Sequence, residues 1–294
     1  MAWRGLAVAA GVFLLTYLPG YRGHSRRVLE AQAPGAAGPG ALRVWAGHVL
    51  ARTVLRHPVE LAVFRFISQT IVRSVKHRLF LATYGGFGAA MALITLASGR
   101  SGGVELPHML AFVLVSGLRA AFNFPSELAA NWGFQLTETT GIQPYLSATR
   151  KWILLCAIVP LFALMAPMEF ANFAWPVAAL HSLYGIAVTV LLMEVLFLGL
   201  RKVPFTCAHF PGKVNLVFLG VMYIFGFTAY SGFVTRGEIW MQARPLAAAI
   251  FFALALAARV LIAQQGRRLL GAKPVLAYDD PADPVVRTLG IGVR

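Results

Sequence analysis

Acidic side chains are scarce in this sequence. Only 11 Asp and Glu stand against 26 Lys and Arg, and charged residues make up 13% of the chain, where soluble proteins carry roughly 25%. So few charges exclude an ordinary solvated surface. Cysteine is almost absent, with Cys156 inside an apolar run and Cys207 in a loop, which excludes a disulfide framework and a cysteine-based zinc cluster. Also missing are the G-x-x-x-x-G-K-[ST] frame of a P-loop, an H-E-x-x-H pair, a G-x-S-x-G elbow and, before the C-terminal tail, any aspartate that could build an aspartate-rich metal motif. Those absences exclude a built-in ATPase and the common hydrolase signatures. No cofactor is expected, and no catalytic, cofactor-binding or metal-ligating residue is assigned.

What is present is apolar: 58% hydrophobic residues and a mean hydropathy of +0.69. Several runs reach about the 20 residues that cross a hydrocarbon core, at positions 3–18, 79–97, 106–122, 152–167, 176–200, 214–233 and 246–262. The expected fold is all-α, a polytopic transmembrane helix bundle of about 6–7 spans with cytoplasmic interfacial amphipathic helices. The first run is short, which suits a signal h-region, but "YRGHSRR" follows where small residues and a cleavage site belong. A retained helix with its N-terminus outside is the preferred reading.

A net charge of +15 in such a chain marks cytoplasmic loops facing anionic headgroups rather than a nucleic-acid partner. Arg22, Arg26, Arg27, Arg43, Arg52 and Arg56 open a basic series that continues to Arg78, and Arg150, Lys151, Arg201, Lys202 and Lys213 fall in later loops of the same side. The other side holds only Arg4, Arg100, Arg236 and Arg244. This asymmetry orients the C-terminus to the cytoplasm.

Four regions follow. Residues 1–20 are the first hydrophobic segment, 21–78 a basic cytoplasmic linker and interfacial helix, 79–264 the bundle and 265–294 a cytoplasmic tail. The linker "AQAPGAAGPGA" is flexible by composition. After it, Val54, Leu55, Val59, Leu61, Ala62, Phe66 and Ile67 follow helical spacing among arginines, broken at Pro58. That pattern predicts a helix lying on the inner leaflet and entering the membrane near residues 77–79.

Ionisable groups inside the spans are the first functional candidates, because lipid makes them costly. They are Arg119, His181, Glu194 and Arg259. Arg119 or Arg259 is expected to pair with Glu194 at the cytoplasmic half. His181, with no second histidine at i+4, reads as a hydrogen-bond donor within the bundle. In "RKVPFTCAHFPGKVN", Cys207 and His209 are too few for a closed zinc site.

The stretch "NFPSELAANWGFQLTETTG" ends a span at Pro125, can cap a helix at Ser126, and spaces Glu127, Asn131 and Glu138 along one face with Trp132 on another. The two acids stand about 16 Å apart on such a helix, too far to act on one bond. A partner-docking surface of Glu127, Asn131, Trp132 and Glu138 is the expectation.

The succession "SVKHRLFLATYGGFG", "FNFPSELAANWGFQLTE", "PFTCAHFPGK" and "VRTLGI" resembles a group of uncharacterised bacterial multi-pass inner-membrane proteins. The resemblance covers the chain from about Pro58 onward and implies the compartment, with no residue roles to carry over. The leading functional expectation is a permease-like component of a transport or export system that relies on a separate nucleotide-binding ATPase subunit, with a homo-oligomer as a further partner arrangement. A noncatalytic membrane scaffold and, behind it, an enzyme acting on a lipid-linked substrate are the alternatives.

Overall fold

The computed structural model describes Leu50 and residues 52–97, 102–126, 131–137, 141–207, 216–270 and 276–277. The chain divides into Met1–Val54 and Leu55–Arg294. In the first unit a single helical turn is described, closed by Val54 N–H donating to the Leu50 carbonyl at 3.0 Å. The first apolar segment, the 31–41 linker and the acidic tail from 278 lie outside the described residues. Everything below concerns the second unit.

It is helical, with no strand among the described residues. Helix α1 spans Pro58–Arg73, where His57 Nδ1 accepts the Val59 N–H at 3.3 Å and Pro58 occupies the first turn. Val63, Phe64 and Ile67 form its buried stripe. The backbone breaks at Ser74, and α2 (Val75–Ala97) follows. The chain then builds α3 (Gly102–Ala121), a short α4 (Asn131–Thr137), α5 (Gln143–Ile153), α6 (Val159–Asn172), α7 (Trp175–Leu196), α8 (Leu216–Gln242) and α9 (Pro245–Leu270).

A π turn at Leu154–Ile158 joins α5 to α6. Pro160 has no N–H for the carbonyl four residues earlier, which accounts for the altered ladder. The helix then runs through Pro167 to Asn172, past the end expected at 167. Proline is tolerated inside membrane helices because neighbours satisfy the freed carbonyl.

Among the described residues five helices are long and apolar enough to cross a membrane: Val75–Ala97, Val104–Ala121, Gln143–Asn172, Trp175–Leu196 and Leu246–Leu270. Of the span expected at 214–233, residues 216–233 fall within α8, which is not among these five. Helix α3 is the centre, touching α2, α6, α7 and α8. Of its apolar window 61% is buried, against 6% for α2 and for α9. The exterior carries large bare apolar side chains, among them Leu96, Leu164, Trp175, Phe225, Phe233 and Leu254. Such a belt suits hydrocarbon and not water.

The interfacial helix departs from expectation. The buried stripe of α1 packs on α5, so protein covers it where lipid was expected. Lys151 Nζ donates to Glu60 Oε2 at 2.5 Å, and Trp152 Nε1 donates to Ser68 Oγ at 2.8 Å. Desolvation alone would raise the Glu60 carboxyl, but hydrogen bonds from Lys151 and Ser147 outweigh it and hold the group below its ordinary value.

The helices leave one end basic, with Arg119, Arg150, Lys151, Arg201 and Lys202 near it. There residues 200–207 fold inward, and Phe205 sits at φ 69° with its N–H on the Phe122 carbonyl at 3.2 Å. The opposite end brings together the starts of α3, α7 and α9 and the ends of α6 and α8.

Candidate functional site in a buried histidine–glutamate cluster

At that opposite end, about one to two turns inside the helix termini, four titratable side chains meet without any solvent exposure: His108, Glu169, His181 and Glu238. Each comes from a different helix. His108 follows Pro107 in α3, Glu169 follows Pro167 in α6, His181 is on α7 and Glu238 on α8.

Glu238 is the hub. His108 Nε2 lies 2.7 Å from its Oε2, and His181 Nδ1 hydrogen-bonds its Oε1. Gln242, one turn on, donates from Nε2 to Oε1 at 2.8 Å. On the far side of the His181 ring, Nε2 stands 3.5 Å from Glu169 Oε1, and Ser182 Oγ donates to Glu169 Oε2 at 2.5 Å. His108 Nδ1, His181 Nε2 and Glu169 Oε1 are buried with no hydrogen-bond partner.

The walls fix these rings. Tyr184 packs edge-on against the His108 ring, their centroids 5.8 Å apart, and donates its hydroxyl to the Val234 carbonyl at 2.9 Å. Gly185 leaves the room for this packing: a Cβ there would lie 2.8 Å from Phe162 Cζ and 3.4 Å from His108 Cε1. Burying two carboxylates is strongly unfavourable unless cations or donors balance them. The cluster is therefore a place built to hold positive charge, on imidazole or as an ion.

His181 belongs to this cluster, although it is not the lone donor expected. The other expected intramembrane residues sit at the basic end. Glu194 pairs with Arg150 Nε at 3.1 Å and with Arg259 Nε at 3.8 Å. Arg119 instead donates to the Leu196 carbonyl at 2.9 Å and to Asn123 Oδ1 at 2.8 Å. One side of the expected pairing is thus present, through Arg259, and Arg150 is the closer of the two ion-pair partners.

Of the expected docking surface, Glu127 and Glu138 lie outside the described residues, and Trp132 is placed only as a residue of α4. Asn131 was expected to face outward, and it is buried, with Nδ2 donating to the Thr206 carbonyl at 2.7 Å. Its amide is used to tie α4 to the inward-folded 200–207 segment. Cys207 is likewise engaged, through Sγ on the Ala277 carbonyl at 2.9 Å, and His209 lies outside the described residues.

No family model, curated protein or solved structure matches this chain. The cluster must be read from its own chemistry. Sequence reasoning missed His108, Glu169 and Glu238 because two of them fall beyond the span ends set at 167 and 233. The available signal was four short polar interruptions, "LPHML", "PMEFA", "LHSLY" and "GEIWMQ", that alternate helix direction puts at one end of a bundle.

Proposed function

We propose that this integral membrane protein is a permease-like, cation-handling component of a transport or export system, with the buried His–Glu cluster as its cation-binding point. One observation carries the reading: Glu238, at zero exposure, is held between two imidazoles that are themselves fully buried. Intramembrane ionisable groups of this kind are costly and mark ion or proton paths. The basic end faces the cytoplasm of a bacterial inner membrane in this reading, with anionic headgroups against it and the cluster toward the other side. Helix α8 then counts as a sixth span, and the first apolar segment as a seventh. Energy comes from a separate ATPase subunit or from a gradient, since the sequence has no P-loop.

Reconstitution into sealed vesicles tests this. Flux is followed with an internal proton dye and, in a separate arm, with a metal-sensitive dye. Flux in either arm, lost in Glu238→Gln, is the expected result, as is co-purification of a nucleotide-binding subunit from native membranes. Vesicles that pass no cation, together with a preparation that never carries an ATPase, overturn the transport reading.

A further inference from the structure

We infer that the cluster is a site for one divalent transition-metal ion of the zinc class, with His108 Nε2, His181 Nδ1 and a Glu238 carboxylate oxygen as ligands. The inference rests on the cation-handling reading of the same site and names the cation.

The donor set comes first. Two imidazole nitrogens and a carboxylate oxygen are borderline ligands that suit zinc, cobalt and iron better than calcium or magnesium, which take oxygen shells. The three ligand atoms lie within 4.8 Å of one another and all three residues are buried. Ligands around tetrahedral zinc, each about 2.0–2.2 Å from the ion, stand roughly 3.3 Å apart. His108 Nε2 and Glu238 Oε2, at 2.7 Å, need to part by only a fraction of an ångström.

Outer contacts agree with that role. A metal-bound histidine usually donates its other N–H to a carboxylate, which fixes the ring and its tautomer. His181 Nε2 has Glu169 Oε1 facing it at 3.5 Å, and neither atom has a hydrogen-bond partner. With the metal on Nδ1, Nε2 carries the proton that Glu169 can accept. Ser182 holds the other oxygen of Glu169, and Gln242 holds Glu238. Glu169, Ser182 and Gln242 are thus positioning residues.

Charge gives a further argument. Two ionised carboxylates with two neutral imidazoles carry a charge of −2, which one divalent ion cancels. Three protein ligands also leave a fourth position for water or a substrate atom, the open arrangement of non-structural zinc sites. Depth fits as well, because the cluster lies only about one to two turns below the helix ends.

The test is equilibrium metal binding by the purified full chain in detergent, stripped with chelator and titrated with zinc and with cobalt. One ion per chain is expected, with the intense visible cobalt absorption of a four- or five-coordinate site and with metal-dependent thermal stabilisation. Glu238→Gln and His181→Gln should abolish the cobalt spectrum, with folding checked by circular dichroism and gel filtration. Glu169→Gln should keep the one-to-one stoichiometry and weaken affinity about 10–100-fold. If the ligand variants fail to fold, the stripped wild-type chain decides by its own cobalt spectrum.

Substoichiometric binding by wild type, a six-coordinate cobalt spectrum, or unchanged binding in folded Glu238→Gln overturns the metal site. Loss of all binding in Glu169→Gln overturns the assignment of Glu169 outside the ligand set. Transport and binding fail separately: an ion bound without flux removes the transport reading alone, and flux without a bound ion removes the metal site alone.

Discussion

Gly185 is a residue whose value lies in having no side chain. Phe162 occupies the space its Cβ would need, with His108 Cε1 in ordinary contact at 3.4 Å, and a well-packed interior resists an added methyl by about 1–3 kcal/mol. Gly185→Ala should therefore displace the Phe162 ring and lower the unfolding midpoint in detergent more than a lipid-facing control such as Leu254→Ala does. Equal effects of the two substitutions would show that the space is not confining. Glu194 at the other end makes a different case. Its two arginine partners reach solvent, with side chains 30% and 57% exposed, so the cost of breaking a fully buried pair is discounted, to about 1–2 kcal/mol. A double-mutant cycle of Glu194→Gln with Arg150→Ala should show coupling above about 0.5 kcal/mol, and the cycle with Arg119→Ala should show none, because Arg119 is spent on the Leu196 carbonyl and Asn123.

Between elements, α1 is tied to α5 by an apolar stripe and one strong ion pair. The Glu60 carboxyl lies below its ordinary value of 4.5, through Lys151 and Ser147 with a smaller contribution from His57. A depressed carboxylate contributes stability above its unfolded value, and the contribution is lost as pH falls through the folded value. Protection factors along α1, corrected for the intrinsic exchange rate at each pH, should fall below about pH 4.5 in wild type and stay level there in Glu60→Gln; identical profiles would sink the assignment. This contact also shows what the sequence made legible and what it hid. Of the stripe expected within α1, Val59, Leu61, Ala62, Phe66 and Ile67, only Ile67 is buried, while the helix and its start at Pro58 do follow from the sequence. The identity of the surface covering Val63 and Ile67 does not, because amphipathic spacing says that something apolar is opposite and is silent on whether it is lipid or protein. The His–Glu cluster was hidden by a related ambiguity. Pro167 reads as a stop in one sequence, yet a bundle can carry the helix past it, and that extra turn is what brings Glu169 to His181.

For the whole molecule, the two ends differ in kind. One is ringed by arginine and lysine, and the other holds two buried acids balanced by imidazoles. In the proposed orientation the basic end faces the cytoplasm, and the cluster would then be within reach of ions from the opposite compartment. Exposed positions at the two ends make this testable: Ala243, just past α8, and Arg268, in the last turn of α9. In a chain with Cys156 and Cys207 replaced by serine, Ala243→Cys should react with an impermeant maleimide added to intact cells from outside, and Arg268→Cys only after the membrane is opened. The same pair predicts the side of metal entry. Cobalt, a paramagnetic quencher of nearby fluorophores, supplied outside sealed, right-side-out vesicles should quench a dye attached to the thiol of the Ala243→Cys variant at low metal concentration, and an equal concentration trapped inside should not. Reversed labelling would invert the orientation, and quenching from the inside alone would mean that the cluster opens past Glu194 and the basic end.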